Sequence, residues 1–216
     1  MKLLIILLLL IPSIVQANSL VDRAKPYMSV LKTIIAEQWP TMPNREIPPA
    51  QVGQESSWKE KAQLKTSREL GRGFVQLTIA YNKDGSIRFN AYQDAVRMKA
   101  LQKWNWQDDP FNTKFQLTYL VLTDKSNFSI VRKSMKNDEQ AWKAALVCYN
   151  AGEGRWLSRR TAARKSNIPI DTWDNGLAIA HSNAEAAILY GRPLYEAVNE
   201  YPRVIFKASV LYLGLM

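Results

Sequence analysis

Glu55 stands in the segment Gln54-Glu55-Ser56-Ser57-Trp58, a carboxyl flanked by hydroxyls and closed by a large aromatic ring. A carboxyl drawn partly out of water among apolar neighbours keeps its proton toward neutral pH. A neutral carboxylic acid at the base of a cleft is what cleavage of a glycosidic bond needs. Ser56 and Ser57 can hold that carboxyl or meet sugar hydroxyls. Other reactive groups are scarce. The chain has a single cysteine, Cys148, and a single histidine, His181, so one chain can build neither an internal disulfide nor a His/Cys zinc site. A Ser-His-Asp or Cys-His hydrolase would have to use His181, and no G-x-S-x-G elbow is present. Gly71-Arg72-Gly73 has no phosphate-loop lysine in place, which argues against nucleotide binding. Carboxylate chemistry is what remains, with no metal and no organic cofactor expected.

The elements that must position Glu55 follow from spacing. Ala24, Met28, Leu31 and Ile35 predict a helix over residues 20 to 39, ended by Pro40 and Pro43. Pro48-Pro49 sits where prolines open a helix, so Ala50 to Ser57 forms its body and carries Glu55 near its end. Lys59 to Phe74 reads as an irregular connection. Lys83-Asp84-Gly85-Ser86 is a turn signal that pairs Phe74–Tyr81 with Ser86–Phe89 as a small hairpin. Helical spacing returns around Tyr92–Lys99, at Phe115, Tyr119 and Leu122, and at Trp142, Ala145, Leu146 and Tyr149, with Gly152 as a stop. A mixed loop region with Pro169 follows, then a helical stretch from Asn183, a break at Pro193, and an apolar end from Val204 to Met216 that reads as a core element closing the fold, with a membrane-contacting tail as the other reading. The expected fold is mainly helical, α+β, with one small β-hairpin.

The composition is 47% hydrophobic, 22% charged and 10% aromatic, which sets aside disorder, collagen-like repeats and a multi-span membrane protein. Met1-Lys2, the apolar run Leu3 to Ile11, and Val15-Gln16-Ala17 describe a secretory signal peptide over residues 1 to 17, with an uncleaved anchor as the other reading. Residues 18 to 216 would then form a single exported domain, working in the periplasm or cell envelope. The net charge of +10 suits an acidic partner surface. The densest basic stretch, Arg155, Arg159, Arg160, Arg164 and Lys165, is either a solvated helix face or loop, or a contact for an anionic envelope surface. No zinc finger or RNA-binding aromatic motif accompanies it, so nucleic acid is not the expected partner.

Three segments together resemble the lysozyme-like family of soluble lytic transglycosylases and goose-type lysozymes. They are Glu55-Ser56-Ser57-Trp58, Gly71-Arg72-Gly73-Phe74-Val75-Gln76-Leu77, and Ala145-Leu146-Val147-Cys148-Tyr149-Asn150-Ala151-Gly152. They follow the family's order of E-S, G-x-x-Q-L and Y-N-A-G. The resemblance covers roughly residues 45 to 155, is closest to phage and prophage members over Gly71 to Tyr92, and implies a helical bundle around a glycan cleft. It implies that Glu55 is the single catalytic acid/base and that Gln76 lines the cleft. Gly73 would let the backbone approach the glycan, and Tyr149 and Asn150 would lie near the catalytic carboxyl. The sequence departs from the pattern at Cys148, where a small residue is common, and between Ser57 and Gly71.

The resemblance implies peptidoglycan glycan strands as substrate, cut between N-acetylmuramic acid and N-acetylglucosamine. A lytic transglycosylase needs one acid/base and leaves a 1,6-anhydro ring. A hydrolytic muramidase, such as a phage lysis enzyme, needs a second carboxylate, for which Glu60, Glu69, Asp84 and Asp94 are the candidates. Two other readings stay open: a wall-cutting accessory of a secretion or phage-entry machine, and a basic nucleic-acid- or membrane-binding protein with a degenerate cleft. The transglycosylase is the favoured expectation.

Overall fold

The structure, a computed structural model, describes residues 14–181, 185–189 and 192–216, so residues 1–13 of the expected signal segment lie outside it. Among these residues the protein is mainly helical, with one small four-stranded antiparallel sheet and a two-stranded pair. No helix among them is long and apolar enough to cross a membrane. The chain forms two compact units: one runs to Leu122 and is completed by Ala208–Met216, and the other is Thr123–Lys207.

The first unit opens with α1 (Ile14–Ala24), a 3-10 turn (Lys25–Tyr27) and α2 (Met28–Gln38). The single helix predicted over 20 to 39 is therefore two. Pro26 brings no backbone N–H to an α-helical ladder and sits in the 3-10 turn that interrupts it. Met28, Leu31, Ile34 and Ile35 form the buried stripe of α2. In α3 (Ile47–Ser56), Pro48 and Pro49 occupy first-turn positions, where no intrahelical N–H bond is lost. Eight of its ten residues are buried, and only Gln54 and Glu55 are half-exposed. α3 packs with α1 and with a closing 3-10 turn, Val210–Tyr212. Gly53 permits that approach, since a Cβ there would lie 3.1 Å from the Tyr212 hydroxyl.

Four strands then form an antiparallel meander in sequence order: β1 (Gln63–Lys65), β2 (Glu69–Arg72), β3 (Leu77–Tyr81) and β4 (Ile87–Asn90). The predicted hairpin corresponds to β3 and β4, with Ile79 opposite Asn90 and Ala80 opposite Phe89. Its turn is closed by Asp84, whose carboxylate accepts from the Ser86 N–H and hydroxyl, and Gly85 supplies the positive φ of 82°. The segment Lys59–Phe74 is not irregular: β1 and β2 add two strands, with Leu70 opposite Ile79. Asn90 caps the short helix α4 (Ala91–Ala95) by accepting from the N–H groups of Tyr92 and Gln93.

In the second unit, α5 (Thr113–Arg132, which begins in the first) is followed by α6 (Asp138–Ala151) and α7 (Glu153–Lys165). The side chain of Asn137 caps α6 by accepting from the Gln140 N–H, and Gly152 (φ 82°) ends it where the sequence predicts a stop. Of the mixed loop region expected after Gly152, Glu153–Lys165 is instead the thirteen-residue α7, while residues 166–172 around Pro169 are irregular as expected. Further on, the expected helix from Asn183 begins outside the described residues, and Ile188–Leu189 (β5) pairs with Arg192–Pro193 (β6). Pro193 precedes a helix rather than breaking one. α8 (Leu194–Ser209) starts directly after it and buries Ala197, Val198, Tyr201, Ile205 and Ser209 at spacings of three and four.

Candidate functional site

Glu55 is the next-to-last residue of α3, on the one edge of that helix that solvent reaches. The turn after it is unusual. Ser57 (φ 53°) and Trp58 (φ 58°) are consecutive non-glycine residues in the left-handed region, which costs roughly 1 to 2 kcal/mol each. The geometry is held by what surrounds it. The Ser57 N–H donates to the Gly53 carbonyl at 2.9 Å, and the Ser57 carbonyl accepts from Arg23 Nε at 2.7 Å. The Trp58 indole is 2% exposed, and its N–H is within bonding distance of the Pro49 carbonyl (3.2 Å) and the Tyr212 hydroxyl (3.1 Å). Tyr27 stacks on Trp58 at 5.8 Å between centroids, and Phe74 meets its ring at 5.6 Å. Burial pushes the Tyr212 phenol up to about 12, with the Trp58 bond and Arg23 pulling the other way, so it stays protonated in this cluster.

Phe74 belongs to the second of the three segments, so the first two meet through the Trp58–Phe74 contact. Gly73 has φ +75°, and its N–H donates to the Ala62 carbonyl at 2.7 Å. Its carbonyl accepts from the Gln76 N–H (3.3 Å) and from Gln76 Nε2 (2.9 Å). Gln76 has φ 47° and is 7% exposed, with its Oε1 lying over the bare Cα of Gly71, where a Cβ would be only 2.7 Å away. The space a side chain on Gly73 would take is filled by the amide of Gln116. Ser56 is buried and its hydroxyl donates back to the Val52 carbonyl at 3.1 Å, so its proton is spent within α3.

The four candidates for a second carboxylate each have a hydrogen-bond or ion-pair partner. Glu60 is exposed and accepts from the Thr113 hydroxyl at 2.9 Å, and Asp94 pairs with Arg97 one turn on at 3.1 Å. Asp84 closes the hairpin turn, and its bonds from Ser86 hold its carboxyl below the ordinary range. Glu69 is buried on β2 with Arg88 3.4 Å away, and burial raises its carboxyl above the usual value despite that cation. No cluster of metal-ligating side chains occurs among the described residues.

Tyr149 and Asn150 lie in the last turn of α6, both half-buried, and belong to the other unit. Cys148 beside them is 5% exposed, and burial pushes its thiol up to about 12, so it is a small buried apolar group rather than a nucleophile. His181 is exposed and stacked on Tyr195 at 4.2 Å. The basic stretch needs a correction. Arg159 has no exposed surface: it pairs with the equally buried Glu185 at 2.9 Å, donates to Asn199 and the Leu177 carbonyl, and lies over the Trp173 ring. Arg155 reaches toward the same carboxylate at 3.9 Å, and Arg160 lies over Trp156. Of the five, Arg164 and Lys165 are exposed, Arg155 and Arg160 are half-buried, and Arg159 leaves the set that can meet an anionic surface.

Sequence reasoning missed Gln116, Tyr212 and Tyr27. None stands in a motif, and the link from Trp58 to Tyr212 spans 154 positions. Compared with known proteins, the chain matches no family model and no curated sequence.

Proposed function

We propose that the protein cleaves peptidoglycan glycan strands between N-acetylmuramic acid and N-acetylglucosamine as a lytic transglycosylase, with Glu55 as its only acid/base. The observation that carries this reading is the position of Glu55: a half-buried carboxyl on the sole open edge of an otherwise buried helix, next to a strained turn locked against the Gly73–Gln76 segment. In the reaction Glu55 gives its proton to the glycosidic oxygen, and the N-acetylglucosamine side leaves as an alcohol. The acetamido group of the muramic acid relieves the positive charge that develops at the anomeric carbon. Glu55, now a carboxylate, takes the proton of the sugar's C6 hydroxyl, whose oxygen closes the 1,6-anhydro ring. No water is consumed and no second carboxylate is called for. That Glu60, Glu69, Asp84 and Asp94 are all engaged in turns, strands or helix pairs supports this over hydrolysis.

The reading carries with it an exported protein at the cell envelope, where a strongly basic charge, +10 for the full chain and one unit less once residues 1–17 with Lys2 are removed, attracts it to acidic wall polymers in a salt-dependent way. The test is digestion of purified peptidoglycan by the protein and by Glu55→Gln, with the released muropeptides weighed by mass spectrometry. Anhydro-muramyl ends, which borohydride does not reduce, are expected from the wild type and none from the variant. Reducing ends would mean a muramidase. Normal lysis by Glu55→Gln would overturn the assignment of the acid.

A further inference from the structure

We infer that Gln116 is a positioning residue for this site, acting through Gly73 on the turn that carries Gln76; the inference rests on the function proposed above. Gln116 lies in the first turn of α5 and is completely buried. Its Nε2 donates to the Pro110 carbonyl at 2.8 Å, and the same carbonyl also accepts from the Tyr92 hydroxyl at 3.3 Å. The amide is thus anchored on one side by a loop carbonyl. On its other side it occupies the volume that a side chain at Gly73 would need: an added Cβ would collide with Nε2, Oε1 and Cδ together. A flat amide against a bare Cα is a close steric fit, and it fixes Gly73 where φ is +75°.

That position matters because Gly73 is the anchor of Gln76. The Gly73 carbonyl takes both the backbone N–H and the side-chain Nε2 of Gln76. Gln76 is itself in the left-handed region, with its Oε1 seated over Gly71. The two glycines of Gly71-Arg72-Gly73 therefore each receive a glutamine amide, one from within the segment and one from α5. Neither Gln76 Oε1 nor Gln116 Oε1 has a hydrogen-bond partner among the described residues, so these oxygens are held by packing rather than by donors. The chain of contact runs from the Pro110 carbonyl through Gln116 and Gly73 to Gln76. A side chain with no contact to the glycan would in this way set where Gln76 stands.

The experiment uses the full-length protein acting on a soluble peptidoglycan fragment of two disaccharide units. kcat and KM are measured for wild type, Gln116→Ala, Gly73→Ala and the double variant, alongside their thermal unfolding midpoints. Misplacement of this turn should lower kcat of Gln116→Ala about ten-fold, with KM within about two-fold and the loss not explained by the folded fraction. Gly73→Ala should lose more, about a hundred-fold, and the double variant should turn over faster than Gly73→Ala alone because the amide no longer blocks the new methyl. A residue that merely filled space would alter the midpoint and leave kcat per folded molecule unchanged. Should Gln116→Ala fail to fold, Gln116→Met keeps the side-chain length without the planar amide and is read by the same kcat criterion. Wild-type kcat in the Gln116 variant, or a double variant no better than Gly73→Ala, overturns the inference alone. A wild-type protein that releases no product overturns the functional reading and this inference with it.

Discussion

α3 ends beside Glu55 with Ser57 and Trp58 both in the left-handed region, whereas α6 ends beside Tyr149 and Asn150 with Gly152, which takes its φ of 82° at no steric cost. Both stops do the same mechanical job, and only one is strained. The surroundings differ in kind as well. The α3 turn is packed against the rings of Tyr27, Trp58, Phe74 and Tyr212, with one exposed cation, Arg23, donating to the Ser57 carbonyl and no ion pair within the cluster among the described residues. In the other unit, α7, which follows Gly152, is fastened to its neighbours by a buried ion pair, Arg159 with Glu185. On the function proposed above, strain that persists beside Glu55 is the expected mark of a turn whose shape serves the reaction rather than stability. A relaxed glycine stop carries no such implication.

The charged fastening should fail hardest. Arg159→Met removes the guanidinium 2.9 Å from Glu185 while leaving that carboxylate buried, which should cost about 3 to 5 kcal/mol in urea unfolding. Adding Glu185→Leu should recover most of the loss, because two apolar side chains suit that interior. A single-variant loss below about 1 kcal/mol would mean that the pair does not hold α7. The neutral fastening comes next. Trp58→Phe keeps a ring against Tyr27 and Phe74 but deprives the Pro49 carbonyl and the Tyr212 hydroxyl of the indole N–H, for about 2 kcal/mol. Its unfolding should depend little on salt. A strong salt dependence would break the contrast between the two units.

Ser57→Gly tests the strain itself. Relief of the left-handed penalty, set against the greater chain entropy of glycine, should raise stability by about 0.5 to 1 kcal/mol. Both hydrogen bonds described at Ser57 are made by its backbone and survive the change. If the strained turn aims Glu55, the stabilised variant should nonetheless digest peptidoglycan more slowly. A variant both more stable and fully active would show the strain to be incidental. Gly152→Ala is the matching change at the relaxed stop and should only destabilise.

The sequence made some of this legible. Pro48-Pro49 marked the start of α3, Lys83–Ser86 the hairpin turn, and Gly152 the end of α6, because proline and glycine act through the local backbone. β1 and β2 were hidden, since Gln63–Arg72 is polar and glycine-bearing and becomes a sheet only by pairing with β3. α7 was hidden by Arg159. Trp156, Arg159 and Ala163 are its buried residues at helical spacing, but a cation in the middle of the stripe disguises an inward face as a solvated one. The partners of the Glu55 turn were illegible for a different reason: Tyr27, Gln116 and Tyr212 stand in no local pattern and reach the turn only through the tertiary fold.

The first unit also holds a buried acid beside an arginine, Glu69 with Arg88, and it sharpens the contrast at the smallest scale. Here the arginine is part-exposed and 3.4 Å away, where Arg159 is fully enclosed and closer to its carboxylate. Burial raises the Glu69 carboxyl, and Arg88 offsets only part of that rise. A raised folded-state value means that the native protein holds this proton where the unfolded chain has released it. This group therefore makes the protein less stable as pH rises from the ordinary carboxylate value through the raised one, and its contribution is recovered as pH falls back through that window. Glu69→Gln removes the titration while keeping the shape. Melting temperatures measured from pH 7 down to pH 4 should show wild type gaining on the variant as the solution becomes more acid. If wild type loses ground instead, the pairing with Arg88 outweighs burial, and the two ion pairs differ only in degree.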